Sequence, residues 1–458
     1  MSLFRRKAVV AHDHGGDRLH AVLGPWDLTL LGIGCIIGAG VFVLTGITAA
    51  NHAGPAVALS FAVAAVACTL TALAYAELAA MMGGSGGAYG YSYAAFGELP
   101  AWLVGWNLLL EYALAVSAVA VGWSGYVNDA MIGLGLALPE SLIAPPAHGG
   151  IVNLPAVLVI AVLGCVLAAG VQGSARFNAL IVAIKVTVIG IFLVAAAGKV
   201  DPANWVPFMP FGWSGVMTGA ALIFFAYIGF DAVATAAEEA RNPQRDMPIG
   251  IIASLVVCTI LYVLVGLGVT GLVHYSELNV PSPVASAMLA AGYKWAAIVV
   301  AVGAIAGLTS VMLVCYYAQT RVLFAMARDG LIPDAMATLH PRRRTPTRLI
   351  VLSGLVMAAV AGFVPLEQIA QLVNIGTLSA FAFVCAGVLV LRYTHPEMQR
   401  PFRTPGAPVT TVLGVAACVY LMINLPGTTW MRFAVWIAVG LLIYFLYSRR
   451  ASRLAAAA

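Results

Sequence analysis

Lys185 stands in the middle of an apolar stretch that runs from residue 177 to residue 197. In a helix, its distance from the start of that stretch is about 12 Å, too far for the ammonium group to reach water comfortably. Lysine is also the basic side chain that most readily exchanges its proton when it is buried. Lys185 is therefore a candidate for reversible protonation. The alternative is a fixed charge that is hydrogen-bonded to backbone carbonyl groups.

Glu111 is a second charged residue inside an apolar stretch, the one spanning residues 97–127. A buried carboxylate is costly unless something binds it, so its position indicates a function. Three roles are open: binding the basic side chain of a ligand, carrying a proton, or forming a structural bond to another helix.

Two other stretches carry glycine where a helix is expected to be continuous. Four glycines fall within Gly32–Gly40, and Gly229 lies close to Asp231 within Phe225–Asp231. A helix that stops in apolar surroundings leaves N–H groups on one fragment and carbonyl groups on the other, and both need partners. The N–H end suits a carboxylate and the carbonyl end an ammonium group, so a zwitterionic amino acid satisfies both. The alternative is that the glycines only let helices pack closely.

The elements that position these residues follow from the composition. Hydrophobic residues make up 62% of the 458 residues and charged residues only 9%, whereas a soluble domain is about one quarter charged. The chain is therefore predicted to be an all-α integral membrane protein. Its seven cysteines and eight histidines show no metal-ligand spacing, so no cofactor is expected.

Apolar runs long enough to cross a bilayer predict about twelve transmembrane helices, centred near residues 26–50, 56–81, 97–127, 152–171, 177–197, 213–238, 249–273, 295–328, 347–364, 367–392, 408–426 and 431–448. The tenth run is the least regular, because Glu367, Gln371 and Asn374 make its start polar.

The basic residues orient these runs. Of the 23 lysines and arginines, only Lys199, Lys294 and Arg432 fall on the side opposite the termini, and Lys185 lies within a run. Because basic loops stay in the cytoplasm, we expect a multi-pass protein of the cell (inner) membrane with both termini cytoplasmic. Residues 1–25 are polar and basic, as expected for a cytoplasmic tail rather than a signal peptide.

At these residues the chain resembles the amino acid-polyamine-organocation superfamily, and most closely the bacterial relatives of the cationic amino acid transporters. The motifs that carry the resemblance are Gly32–Gly40, Phe225–Asp231, Glu238–Pro248, Gln319–Arg321 and Arg328–Gly330. The resemblance implies a LeuT-type fold of five plus five inverted-repeat helices with two more appended. The first repeat would then cover residues 26–200, the second 201–395 and the last two helices 396–450, followed by a cytoplasmic tail at 451–458.

The resemblance also implies where a substrate binds. The residues expected to contact it are Gly38, Ala39 and Gly40 at its carboxylate, Ile36, Phe225, Ala226 and Ile228 at its ammonium group and backbone, and Cys315 at its side chain. Glu111 joins them if the side chain is basic. Many relatives have serine or threonine at the position of Ala39, so a hydroxyl donor is missing here.

For coupling, the resemblance implies that Lys185 replaces the sodium ion of sodium-coupled relatives. It would point at the carbonyl groups of a broken helix and at Thr309 and Ser310. The expected function is secondary active import of L-amino acids, small neutral and also cationic ones, driven by protons. An exchanger and a non-transporting amino acid sensor are the alternatives. The expected partners are the amino acid, the proton and membrane lipid, with no nucleic acid and no enzymatic activity.

Overall fold

A computed structural model of the chain describes residues 23–453 apart from 83–86, 137, 171–174, 235, 238, 239, 334, 335, 337, 339 and 341–344. Within these residues all regular structure is helical, with one isolated bridge between Leu23 and Ala240. Residues 1–22 of the predicted tail 1–25 and residues 454–458 of the predicted tail 451–458 lie outside the described residues, as do the pair Glu238–Glu239 and the basic run Arg342–Arg344.

The α-helices are α1 (Pro25–Ile36), α2 (Thr45–Thr48), α3 (Val57–Met82), α4 (Gly87–Ala95), α5 (Glu98–Gly133), α6 (Leu154–Ala168), α7 (Ala175–Ala197), α8 (Gly212–Ile223), α9 (Phe230–Ala234), α10 (Pro243–Leu272), α11 (Pro283–Ala290), α12 (Lys294–Arg328), α13 (Thr347–Phe363), α14 (Leu366–Thr394), α15 (Ala407–Ile423), α16 (Gly427–Ile443) and α17 (Arg449–Ala451). Wider π turns flank α2 at Gly40–Leu44 and Ala49–Ala53, and a tight 3₁₀ turn follows α8 at Phe224–Tyr227.

Eight helical segments in the described part of the chain are long and apolar enough to cross a membrane, and four more apolar helices are shorter. The shorter ones are Pro25–Ile36, Leu154–Ala168, Thr347–Phe363 and Ala407–Ile423. Large apolar side chains on the outer helices, such as Val351, Leu355 and Leu442, are exposed. An apolar outer surface of this kind is what a lipid environment favours.

Close packing brings the helices that carry the candidate residues together. The two longest helices, α5 and α12, run along each other, and α1 packs on α10. A methyl group on Gly32 would lie 2.5 Å from the Ser254 hydroxyl, and one on Gly250 would lie 2.7 Å from the Leu28 side chain. At Gly32 the glycine therefore serves close packing, as the alternative interpretation expected.

An ionic cluster anchors the end of α14 that lies nearer Thr394. The buried Glu77 carboxylate of α3 accepts hydrogen bonds from Arg392 at 2.7 and 3.0 Å and from the Thr404 backbone N–H at 2.8 Å. Arg400 approaches the same carboxylate to 3.7 Å. Because one buried charge has several partners, it holds α3, α14 and the following loop as one unit.

Candidate functional site

The first interruption follows α1, as the glycine pattern predicts. The helix ends at Ile36, Ile37 has an extended backbone with φ −72° and ψ 101°, and helical structure resumes at the Gly40–Leu44 turn. The chain therefore leaves carbonyl groups at the end of α1 and N–H groups at the restart without partners of the α-helical kind.

The second interruption follows α8. The 3₁₀ turn Phe224–Tyr227 ends at Ile228, and Gly229 has a φ of 123°, which favours glycine because side chains rarely adopt it. The Gly229 N–H donates to Asp231 Oδ1 at 3.1 Å. Asp231 thus braces the start of α9, the role that its position after the break indicates.

The two interruptions touch each other. A methyl group on Gly40 would overlap Cα and Cβ of Ala226, and one on Gly229 would lie 2.9 Å from Cys35. At these two positions the glycines permit backbone to approach backbone, which larger residues would prevent. The interruptions at residues 36–40 and 225–229 therefore form one region of incompletely paired backbone groups, called the joint region below.

Tyr262 of α10 links both sides of this region, a role that the sequence pattern does not predict. Its buried hydroxyl lies 2.8 Å from the Ile36 carbonyl oxygen and 3.0 Å from that of Ala226. One hydroxyl proton can be donated to only one of the two carbonyl groups at a time. Tyrosine inside an apolar run gives no sequence signal for this contact, since such a residue is usually a packing residue.

Lys185 reaches the first interruption. The side chain is 0% exposed, and its Nζ donates to the carbonyl oxygens of Gly34 at 2.8 Å and Ile37 at 3.0 Å. This part of the expectation, that Lys185 points at the carbonyl groups of the broken helix, is confirmed. The contact fits both a proton-exchanging amine and a fixed charge.

The expected contact of Lys185 with Thr309 or Ser310 is absent. Neither hydroxyl is hydrogen-bonded to Nζ; Thr309 donates to the Ile305 carbonyl at 2.8 Å and accepts from Trp123 at 3.0 Å. Gly307 is the α12 residue that faces the lysine, because a methyl group there would lie 2.9 Å from Lys185 Cε. At about 100° per residue, Thr309 is turned well away from that face.

The carboxyl group of Glu111 is buried in the interior of the protein. It is 0% exposed, and neither carboxylate oxygen has a hydrogen-bond partner among the residues that the structure describes. The nearby carboxylate of Asp231 accepts from the Tyr112 hydroxyl at 3.2 Å, and the hydroxyl of Thr377, which faces Glu111, is also unpaired. The hydroxyl of Thr377 on α14 is thus the group on another helix that could form the structural bond, one of the three alternatives for Glu111.

The other expected site residues lie around the joint region. Seven of them belong to the two interruptions and are buried: Ile36, Gly38, Ala39, Gly40, Phe225, Ala226 and Ile228. A methyl group on Gly38 would lie 3.5 Å from Val311 of α12. Cys315 follows one turn later on the same helix, is partly exposed, and lies near both Lys185 and Glu111.

Comparison with known proteins identifies the family. The amino acid permease family matches residues 23–446. Two similar proteins come from Bacillus subtilis (strain 168): a methylthioribose transporter and the branched-chain amino acid permease BcaP. Each is 48% identical to this chain, and each alignment covers 99% of both chains. The vacuolar cationic amino acid transporter 4 of Arabidopsis thaliana is 39% identical over 86% of this chain and 68% of its own length. The chain therefore belongs to the amino acid permease family of the amino acid-polyamine-organocation superfamily, and it is a multi-pass membrane transporter rather than an enzyme.

Proposed function

We propose that the protein is a secondary active transporter that imports L-amino acids together with protons. The observation that carries this proposal is the joint region itself: two interrupted helices in contact, with the Lys185 ammonium group on the carbonyl groups of one of them.

The proposed architecture is twelve spans, of which the first ten form two inverted repeats over residues 26–200 and 201–395. The apolar helices support this count when Pro25–Ile36 and the restart over residues 40–53 are taken together as the first span and Val57–Met82 as the second. In such a layout the interruptions fall in the first and sixth spans, and the longest helices, α5 and α12, in the third and eighth. Both pairs are five spans apart, as an inverted repeat requires. The last two spans then lie within 396–450, and both termini face the cytoplasm.

The proposed substrate is a zwitterion. Its carboxylate would bind the N–H groups at Gly38, Ala39 and Gly40, where the helix restarts. Its ammonium group would share the carbonyl oxygens of Ile36 and Ala226 with the Tyr262 hydroxyl, since each carbonyl oxygen accepts more than one hydrogen bond. Phe225 and Ile228 would cover its apolar surface.

Sequence identity does not choose the substrate, because the methylthioribose transporter and the branched-chain amino acid permease are equally similar to this chain. The helix ends favour an amino acid, since methylthioribose has neither a carboxylate nor an ammonium group for them to bind. A thermal-shift panel of alanine, isoleucine, lysine, arginine and methylthioribose tests this. Stabilisation by methylthioribose alone would contradict the proposal.

Glu111 is proposed to hold a proton in this conformation. A buried carboxylate without a partner costs several kcal/mol if it is ionised, and no cation among the described residues pairs with Glu111 or Asp231. A neutral carboxyl group at Glu111 avoids both the desolvation cost and the repulsion that two neighbouring carboxylates would have.

Uptake into empty proteoliposomes under an imposed proton gradient tests the coupling. A symporter accumulates substrate under the gradient. An obligate exchanger takes up substrate only when the vesicles are preloaded with it, and a sensor binds without uptake. Either of the last two results would overturn the proposal in favour of that alternative.

Cys315 is proposed to line the substrate side-chain pocket, and Cys315→Met tests it. The longer side chain should lower the affinity for isoleucine, lysine and arginine by about tenfold and leave alanine and glycine little changed, because pocket differences of a methylene or two are worth ~1–3 kcal/mol. Competition binding measures the change. Cys165→Met is the matched control, since Cys165 is exposed on α6. If the two variants give the same substrate range, Cys315 is not a pocket residue.

A further inference from the structure

Asn374 of α14 contacts the end of α8 directly. The side chain is 0% exposed, and its Nδ2 donates to the carbonyl oxygens of Ala221 and Leu222, both at 2.8 Å. These carbonyl groups belong to the last turn of α8, where the α-helix gives way to the 3₁₀ turn Phe224–Tyr227. Helix ends leave such carbonyl groups without α-helical partners, and Asn374 provides two replacement hydrogen bonds.

The orientation of the amide follows from its neighbours. Both contacting atoms are acceptors, so the nitrogen rather than the oxygen must face them. Asn374 Oδ1 has no partner among the described atoms. An apolar residue would avoid that buried unpaired oxygen, so the two donated hydrogen bonds are the property that sets asparagine apart at this position.

The same face of α14 also contacts the first interrupted span. Glu367 and Gln371, seven and three residues before Asn374, lie on this face. Glu367 Oε1 lies 3.2 Å from His52 Nε2 and accepts from Gln371 Nε2 at 3.0 Å. His52 lies in the turn Ala49–Ala53, which belongs to the helical segment that restarts at Gly40. The polar start of the tenth run, irregular for a membrane helix, is thus directed at both broken spans.

We propose that Asn374 is a positioning residue for the transport site. By binding the last carbonyl groups of α8 it holds the α-to-3₁₀ transition in place, and so sets where the Phe225 and Ala226 backbone groups meet the first interruption. Its effect on transport rests on the proposed function, whereas its effect on the local backbone does not.

Hydrogen exchange of the purified protein tests the backbone effect. Asn374→Ala should speed amide exchange in peptides covering residues 219–230 by about tenfold, the effect of losing hydrogen bonds worth ~1.4 kcal/mol in total. Asn374→Ser, which keeps one donor, should restore part of the protection. Ser379→Ala is the control, since Ser379 lies on α14 but bonds to Asn107 of α5. Unchanged exchange at 219–230 in both Asn374 variants, or an equal rise across the whole protein, would overturn the proposal.

Substrate titration provides the second measurement. If a zwitterionic amino acid stabilises the wild type, Asn374→Ala should raise its Kd severalfold while Ser379→Ala leaves it unchanged. An unchanged Kd in Asn374→Ala overturns the positioning role even if local exchange rises. If no amino acid binds the wild type, the proposed function fails, and the exchange measurement still decides whether Asn374 holds the end of α8.

Discussion

Replacing Lys185 by alanine is expected to abolish proton-driven accumulation of substrate while leaving substrate binding measurable. The ammonium group is the only buried cation among the described residues that contacts the broken first span, and alanine can carry no proton. With a gradient of one pH unit and one proton per substrate, the wild type should accumulate substrate up to about tenfold. The variant should reach no more than equilibration. Proteoliposome uptake measures accumulation, and substrate-induced thermal stabilisation measures binding.

Lys185→Arg separates proton exchange from a fixed charge. Arginine stays charged under all accessible conditions, so it should bind the carbonyl groups without releasing a proton, and accumulation should still fail. Lys199→Ala is the control, because Lys199 is exposed just beyond α7. Full accumulation by the arginine variant would show that Lys185 acts as a fixed charge, and accumulation by the alanine variant would remove it from coupling altogether.

Glu111→Gln is expected to weaken the dependence of uptake on external pH for every substrate alike, while the dependence due to Lys185 persists. Glutamine has nearly the shape of a protonated glutamate but cannot ionise, so a proton carried by Glu111 would be lost from the cycle. Stability should change little, because glutamine can still bond to the Thr377 hydroxyl, which faces this side chain. Initial uptake rates of alanine and lysine across a pH series measure the effect.

The result for Glu111→Gln also decides among the original alternatives. A selective loss of lysine and arginine uptake would assign Glu111 to the substrate side chain. A lower melting temperature with an unchanged pH profile would assign it a structural role. Glu397→Gln is the control, since Glu397 lies in the exposed loop after α14, and it should leave the pH profile as in the wild type.

The sequence alone determined the class of the protein and the place of its interruptions. Composition indicates that the chain folds in a lipid bilayer, because a chain with so few charged residues cannot form a water-soluble surface. The glycines decide where backbone departs from a helix: the breaks fall within Gly32–Gly40 and Phe225–Asp231, as expected. These features depend on residue type and local backbone freedom, which a sequence carries directly. The same is true of Lys185, whose burial follows from its depth in an apolar run.

Apart from Lys185, only the tertiary structure decided which side chains meet the broken helices. The Tyr262 hydroxyl and the Ile36 carbonyl lie 226 residues apart in the chain, and Asn374 and Ala221 lie 153 apart. Neither contact has a local motif. Which residues of α12 face Lys185 likewise depends on how the whole helix is rotated about its axis. Packing against α5 and α7 sets that rotation. That rotation places Gly307 against the lysine and turns Thr309 towards Trp123, because one residue along a helix changes the direction of its side chain by about 100°.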